Sequence, residues 1–115
     1  EFSKKLEERT RVFAIRTIRL STLLPGTVEG KIIRNQLTKS GTSIGANYRE
    51  ANRARSKADF KSKIKICESE ASETCYWMEI IREIKWIEFK ELEPALVETN
   101  ELLSIFTSIG KNLSY

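Results

Sequence analysis

The sequence predicts an all-α fold, an antiparallel up-down-up-down four-helix bundle. Three observations predict it. Helix breakers are scarce, with two prolines and five glycines in 115 residues. Apolar residues recur every three or four positions over four long stretches. The connections between the stretches are short and carry turn chemistry, so consecutive helices run antiparallel. Hydrophobic residues make up 40% and charged residues 31%, a composition able to bury one core and too small for two domains. We therefore expect a single domain over residues 1–115, with no strand alternation and no internal repeat.

The first helix is expected over about 3–24. Leu6, Phe13, Leu20 and Leu24 form its inner stripe, with Thr10 and Thr17 between them. Leu24-Pro25-Gly26 reads as its stop, because a residue before proline avoids the α region. The second helix is expected over about 28–54, with Thr27 as N-cap and Ile33, Leu37, Ile44, Tyr48 and Ala51 inward. Gly41 and Gly45 lie four apart on that helix, each costing roughly 1 kcal/mol relative to alanine. Such a cost is retained where a neighbouring helix must come close, so both are assigned to close packing.

Ser56 followed by Asp59 is an N-cap pattern and starts the third helix, expected over about 57–87. It carries two adjacent stripes. One is Phe60, Ile64, Cys67, Ala71, Thr74, Met78 and Ile81; the other is Ile66, Glu70, Glu73, Trp77, Ile80, Ile84 and Ile87. Two stripes make a face wider than a bundle core needs, which predicts an oligomer interface. The fourth helix is expected over about 91–113, with Pro94 in its first turn and Leu92, Leu96, Leu102, Leu103, Ile105, Phe106 and Ile109 as its apolar residues.

The composition also restricts function. Histidine is absent, which removes the usual general base and metal ligand. Glu-x-x-His pairs, a phosphate loop, Cys-x-x-Cys and a nucleophile elbow are all missing. We expect no enzyme, no cofactor and no metal. Cys67 and Cys75 fall ~12 Å apart along one helix, too far for a disulfide, and read as buried free thiols. Cys67 has no histidine to activate it. No run approaches the ~20 apolar residues of a membrane span. The start of the chain is charged and lacks an apolar signal core. We expect a cytoplasmic protein.

Net charge is +4 and unevenly spread. Residues 1–24 carry six basic and three acidic side chains, and residues 25–57 carry seven and two. Residues 58–87 carry five and six, and residues 88–115 two and five. Arg49, Arg53, Arg55 and Lys57 gather at the end of the second helix and its turn, as the best nucleic-acid candidates. Lys5, Arg9, Arg16 and Arg19 form a second basic stripe on the first helix, read either as a solvated face or as a phosphate-tracking surface. Glu70 and Glu73 share a face. Paired carboxylates there could bind a cation or hold a raised pKa; the favoured expectation is that they pair with Arg49 and Arg53 across a helix or subunit interface, with Asn47, Glu50 and Trp77 as further interface or polar-network candidates. Tyr76 and Trp77 offer stacking area for bases, although aromatics at helical spacing more often serve a core or interface.

The order Leu24-Pro25, Gln36-Leu37, Ser40 to Ser43, Ala46-Asn47-Tyr48 with Glu50, Ser56 to Asp59-Phe60, and Glu70-Ala71-x-Glu73-Thr74-x-Tyr76-Trp77 spans nearly the whole chain. It resembles the bacterial four-helix-bundle family that includes proteins encoded in intervening sequences of 23S ribosomal RNA genes. The resemblance implies an antiparallel bundle, a ring-like homopentamer and no established catalytic activity. A more distant likeness is to the accessory protein of diversity-generating retroelements, a basic pentamer that binds nucleic acid and a reverse transcriptase. The expected function is a non-enzymatic homo-oligomeric binding or scaffold module with structured RNA as its candidate ligand. The alternative is a protein-interaction adaptor whose basic surface meets an acidic partner.

Overall fold

The four helices of the computed structural model are α1 (Phe2–Ser21), α2 (Val28–Ala51), α3 (Lys57–Ile84) and α4 (Phe89–Asn112). The structure describes residues 1–113. Consecutive helices pack against each other, α4 closes onto α1, and α1 and α3 occupy opposite corners with no close approach of their backbones. The result is the four-helix bundle, 44 Å long and 24 × 23 Å across.

Local sequence explains two starts. The Thr27 hydroxyl accepts from Gly30 N at 3.0 Å, and the Ser56 hydroxyl accepts from Asp59 N at 3.0 Å. Each satisfies an N–H that the first helical turn leaves unpaired. The other ends differ from expectation. α1 stops at Ser21 rather than Leu24, and Arg34 of α2 explains it by taking two carbonyls that the helix has released. Its Nε donates to Ser21 O at 3.1 Å and its Nη2 to Leu24 O at 2.8 Å. Leu24 itself is buried in the connection.

α2 ends at Ala51, three residues early, with Asn52 as its cap. α3 ends at Ile84 because Lys85 turns into the left-handed region at φ 60. Lys85 N then reaches Arg82 O and Trp86 N reaches Ile81 O, each at 3.3 Å. That is the paired bonding of a Schellman cap, made here by lysine where glycine is usual. α4 starts at Phe89, so Pro94 lies in its second turn rather than its first.

The core runs the length of the bundle through Phe13, Leu37, Ile44, Ile64, Met78, Leu92, Leu102 and Phe106, all at 2% exposure or less. Tyr48 meets Phe106 edge-on, ring centroids 5.5 Å apart. Four core threonines hide their hydroxyls by donating to the carbonyl four residues back: Thr10 to Leu6, Thr17 to Phe13, Thr74 to Glu70 and Thr99 to Ala95. Among the described residues no buried side-chain nitrogen or oxygen lacks a partner.

Gly41 and Gly45 form the close seam with α1. A Cβ on Gly41 would lie 2.5 Å from Thr17 Cγ2, and one on Gly45 would lie 3.0 Å from Thr10 Oγ1.

Candidate nucleic-acid interface and assembly face

The antiparallel register determines which charges meet. Cys67 Sγ donates to Ile44 O at 3.5 Å, and the Thr74 and Ser40 hydroxyls lie 2.9 Å apart. Asn52 Nδ2 donates to Glu7 Oε2 at 2.7 Å. One end of the bundle therefore gathers the start of α1, the end of α2, the start of α3 and the end of α4. Cut at the level of the Cys67–Ile44 contact, residues 1–10, 45–66 and 108–113 carry eleven basic and five acidic side chains, net +6. Residues 11–44 and 67–107, the rest of the bundle, carry nine and eleven, net −2. The modest overall charge thus conceals a strongly polarised molecule.

Arg49, Arg53, Arg55 and Lys57 are all exposed at the basic end. Arg49 lines an open groove of ≈ 310 Å³ between α1 and α2, with Lys4, Arg11, Gly45 and Ala46. Arg55 and Lys57 border a shallower hollow with Asn52 and Phe60. Lys61, Lys63 and Lys65 in the first turns of α3 extend this cationic surface, Lys65 sitting 3.6 Å from Glu68. Sequence reasoning passed over these three. Their Lys-x-Lys-x-Lys spacing was a visible signal, but its meaning depends on which helix ends meet.

The α1 stripe is not continuous. Arg9 donates from Nε to Glu98 Oε2 at 2.6 Å, and from Nη2 to Glu98 Oε1 at 2.8 Å and Glu101 Oε1 at 2.6 Å. The hydrogen bonds to Glu98 push its already high pKa further up. Arg9 therefore ties α1 to α4. Lys5 joins the basic end, whereas Arg16 and Arg19 lie ~16 Å or more along α1 from Lys5. They are exposed beside an open groove of ≈ 610 Å³ with Val12, Ile15, Leu23 and Glu91.

Glu70 and Glu73 do not pair with Arg49 and Arg53; no ion pair joins them among the described residues. The register explains this. The Cys67–Ile44 and Thr74–Ser40 contacts place Glu70 about level with Ser43, some six residues from Arg49. Lys39 is the cation whose field reaches Glu70. Burial, and then the neighbouring Glu73, raises the Glu70 pKa. Trp77 is half-buried and donates from Nε1 to Glu73 Oε2 at 3.1 Å, and Tyr76 meets it edge-on at 5.1 Å. Asn47 Nδ2 donates to Ser43 O at 2.9 Å, and Glu50 is exposed. The polar network thus stays within single helices, and its outer atoms face away from the core.

Both cysteines are free and buried. Burial pushes the Cys67 thiol up to about 12 and also raises Cys75, opposite to what a nucleophile needs. Among the described residues no group of three His, Cys, Asp or Glu side chains could hold a metal ion. No helix is long and apolar enough to cross a membrane.

The family model described as 23S rRNA-intervening sequence protein matches residues 4–108. A crystal structure of a protein with unknown function from the S23 ribosomal protein family of Bacteroides thetaiotaomicron superposes with a TM-score of 0.84. That protein is 35% identical, and the match covers 91% of this chain and 97% of that one. No curated protein matches the sequence.

Proposed function

The chain belongs to the 23S rRNA-intervening sequence protein family, and on that premise we propose that it is a non-enzymatic cytoplasmic module that self-associates, as a homopentamer, and binds structured RNA through its basic end. The observation that carries the RNA reading is charge segregation, net +6 at one end of the bundle against −2 over the rest. A lattice of phosphates is attracted to clustered lysine and arginine without any base-reading motif. Self-association is supported by the outward stripe of α3, where Ile66 and Ile84 are exposed and Trp77 is half-buried around Glu70 and Glu73. A bundle complete in itself gains nothing from apolar side chains there.

Light scattering coupled to size exclusion, with and without nuclease, tests both parts. The expected result is a mass about five times 13.3 kDa, with ultraviolet absorbance at 260 nm that falls after nuclease. A single-chain mass at every concentration and no RNA retained at low ionic strength would refute the reading. A partner that stays bound after nuclease, with no RNA retained, would instead establish the adaptor role.

A further inference from the structure

Two outward stripes share one spacing and carry opposite charge. On α1 and the turn after it, Val12, Arg16, Arg19 and Leu23 follow intervals of four, three and four, and all four are exposed. On α3, Ile66, Glu70, Glu73 and Trp77 follow the same intervals, two exposed and two half-buried. Each is a charged pair between two apolar residues; at 100° per residue the α3 stripe lies along one line of its helix, as do Val12, Arg16 and Arg19, and Leu23 follows in the turn past Ser21. The order four-three-four reads the same in both directions, so the stripes match whether the helices meet parallel or antiparallel. Both span ~16 Å.

We infer that these stripes are the two halves of one subunit contact: the α1 stripe of one copy docks on the α3 stripe of the next. This rests on the self-association proposed above and names its surfaces. Charge complementarity identifies the occupant. Arg16 and Arg19 form no ion pair among the described residues, and neither do Glu70 and Glu73. Val12 is 47% exposed, Leu23 50% and Ile66 38%, so apolar area is available on both sides. One chain cannot satisfy both stripes internally, because α1 and α3 sit on opposite corners of the bundle and both stripes face outward.

Pairing like with like is disfavoured. Two α1 stripes would bring four arginines together, and two α3 stripes four glutamates. The contact is therefore heterologous rather than two-fold, and such contacts close into a ring when their rotation permits. Arg9 takes no part, since Glu98 and Glu101 already hold it. The basic end lies outside both stripes and stays open to another ligand.

Charge reversal tests the pairing. Arg16→Glu with Arg19→Glu, and separately Glu70→Arg with Glu73→Arg, should each weaken assembly at least about tenfold in sedimentation equilibrium. The fourfold variant, carrying both reversals, should recover it; an equimolar mixture of the two double variants should regain association through contacts between unlike copies, although strict alternation cannot close a five-membered ring. Circular dichroism at 222 nm confirms that each variant is folded; the mixture provides the reading if the fourfold variant is not. Assembly lost in both double variants and restored by neither combination would overturn the inference. So would an assembling parent whose mass neither reversal changes, which leaves self-association standing on other surfaces. A parent that is a single chain at all concentrations removes self-association and this pairing together.

Discussion

Gly41→Ala is the most exacting test of how α1 and α2 fit. In an open helix the change stabilises by roughly 1 kcal/mol, because alanine loses less backbone entropy. Here the new Cβ would lie 2.5 Å from Thr17 Cγ2, 2.8 Å from its Oγ1 and 3.0 Å from its Cβ. Ordinary contact begins at 3.4 Å, so something must move by about 0.9 Å. Thr17 cannot simply rotate away. It is fully buried and its hydroxyl donates to Phe13 O at 2.9 Å. Overpacking of this kind costs about 2–3 kcal/mol, the upper part of its usual range, because a helix must shift.

Gly41→Ala should therefore destabilise by about 1–2 kcal/mol net of the helix gain. That corresponds to a Tm lower by roughly 4–8 °C for a domain of this size. Gly110→Ala is the matched control: beyond its own helix backbone and chain neighbours, no described atom lies within 4 Å of a Cβ built there, so in the last turn of α4 it should stabilise by about 0.5 kcal/mol. Urea denaturation followed at 222 nm measures both. Adding Thr17→Ala to Gly41→Ala should give a favourable coupling of at least about 1 kcal/mol. Two alanine variants of the same sign, or no coupling with Thr17, would refute the reasoning.

Lys85→Gly should raise stability by about 1 kcal/mol, since lysine holds φ 60 at α3's end and glycine adopts it without a Cβ clash; an unchanged or lower Tm contradicts this. Cys67 and Cys75 should resist thiol reagents at pH 8 until the chain unfolds, because both are buried with raised pKa values. Rapid stoichiometric labelling of the folded protein would show otherwise. Glu70, raised by burial, binds its proton more tightly in the native state than in the unfolded chain. Stability from this group is therefore present at low pH and lost as pH rises from about 4.3 through the higher native value. Measured on the dissociated single chain, Glu70→Gln should be the more stable protein at pH 7, with the difference shrinking near pH 4. A variant that is less stable at pH 7 than the parent rules this out.

Much of the fold was legible because its signals are local. Thr27 and Ser56 cap their helices within three residues, and inward stripes such as Leu37, Ile44 and Tyr48 need only the helical period. The helix ends were less legible, because distant or unusual residues terminate them. Arg34 reaches back thirteen residues to Ser21, and a left-handed lysine replaces the expected glycine at position 85.

Charge was the least legible property. Arg49 and Glu70 share plausible chemistry, but only the register of α2 against α3 separates them. Arg9 meets Glu98 across 89 residues, a distance no periodicity encodes. Summing charge along the chain also hid the polarity of the bundle. Each helix contributes its two ends to opposite poles, so the lysines at 61, 63 and 65 belong with Lys4 and Arg53 rather than with the acidic half of α3.

If the basic end grips RNA, its affinity for a labelled structured RNA must depend steeply on salt. Binding is expected at low ionic strength, with a log–log slope that steepens by ~0.7–0.9 for each phosphate neutralised. Arg53→Gln with Arg55→Gln and Lys57→Gln should flatten that slope by about 2. No binding at low ionic strength, or a slope unchanged in the triple variant, would contradict it.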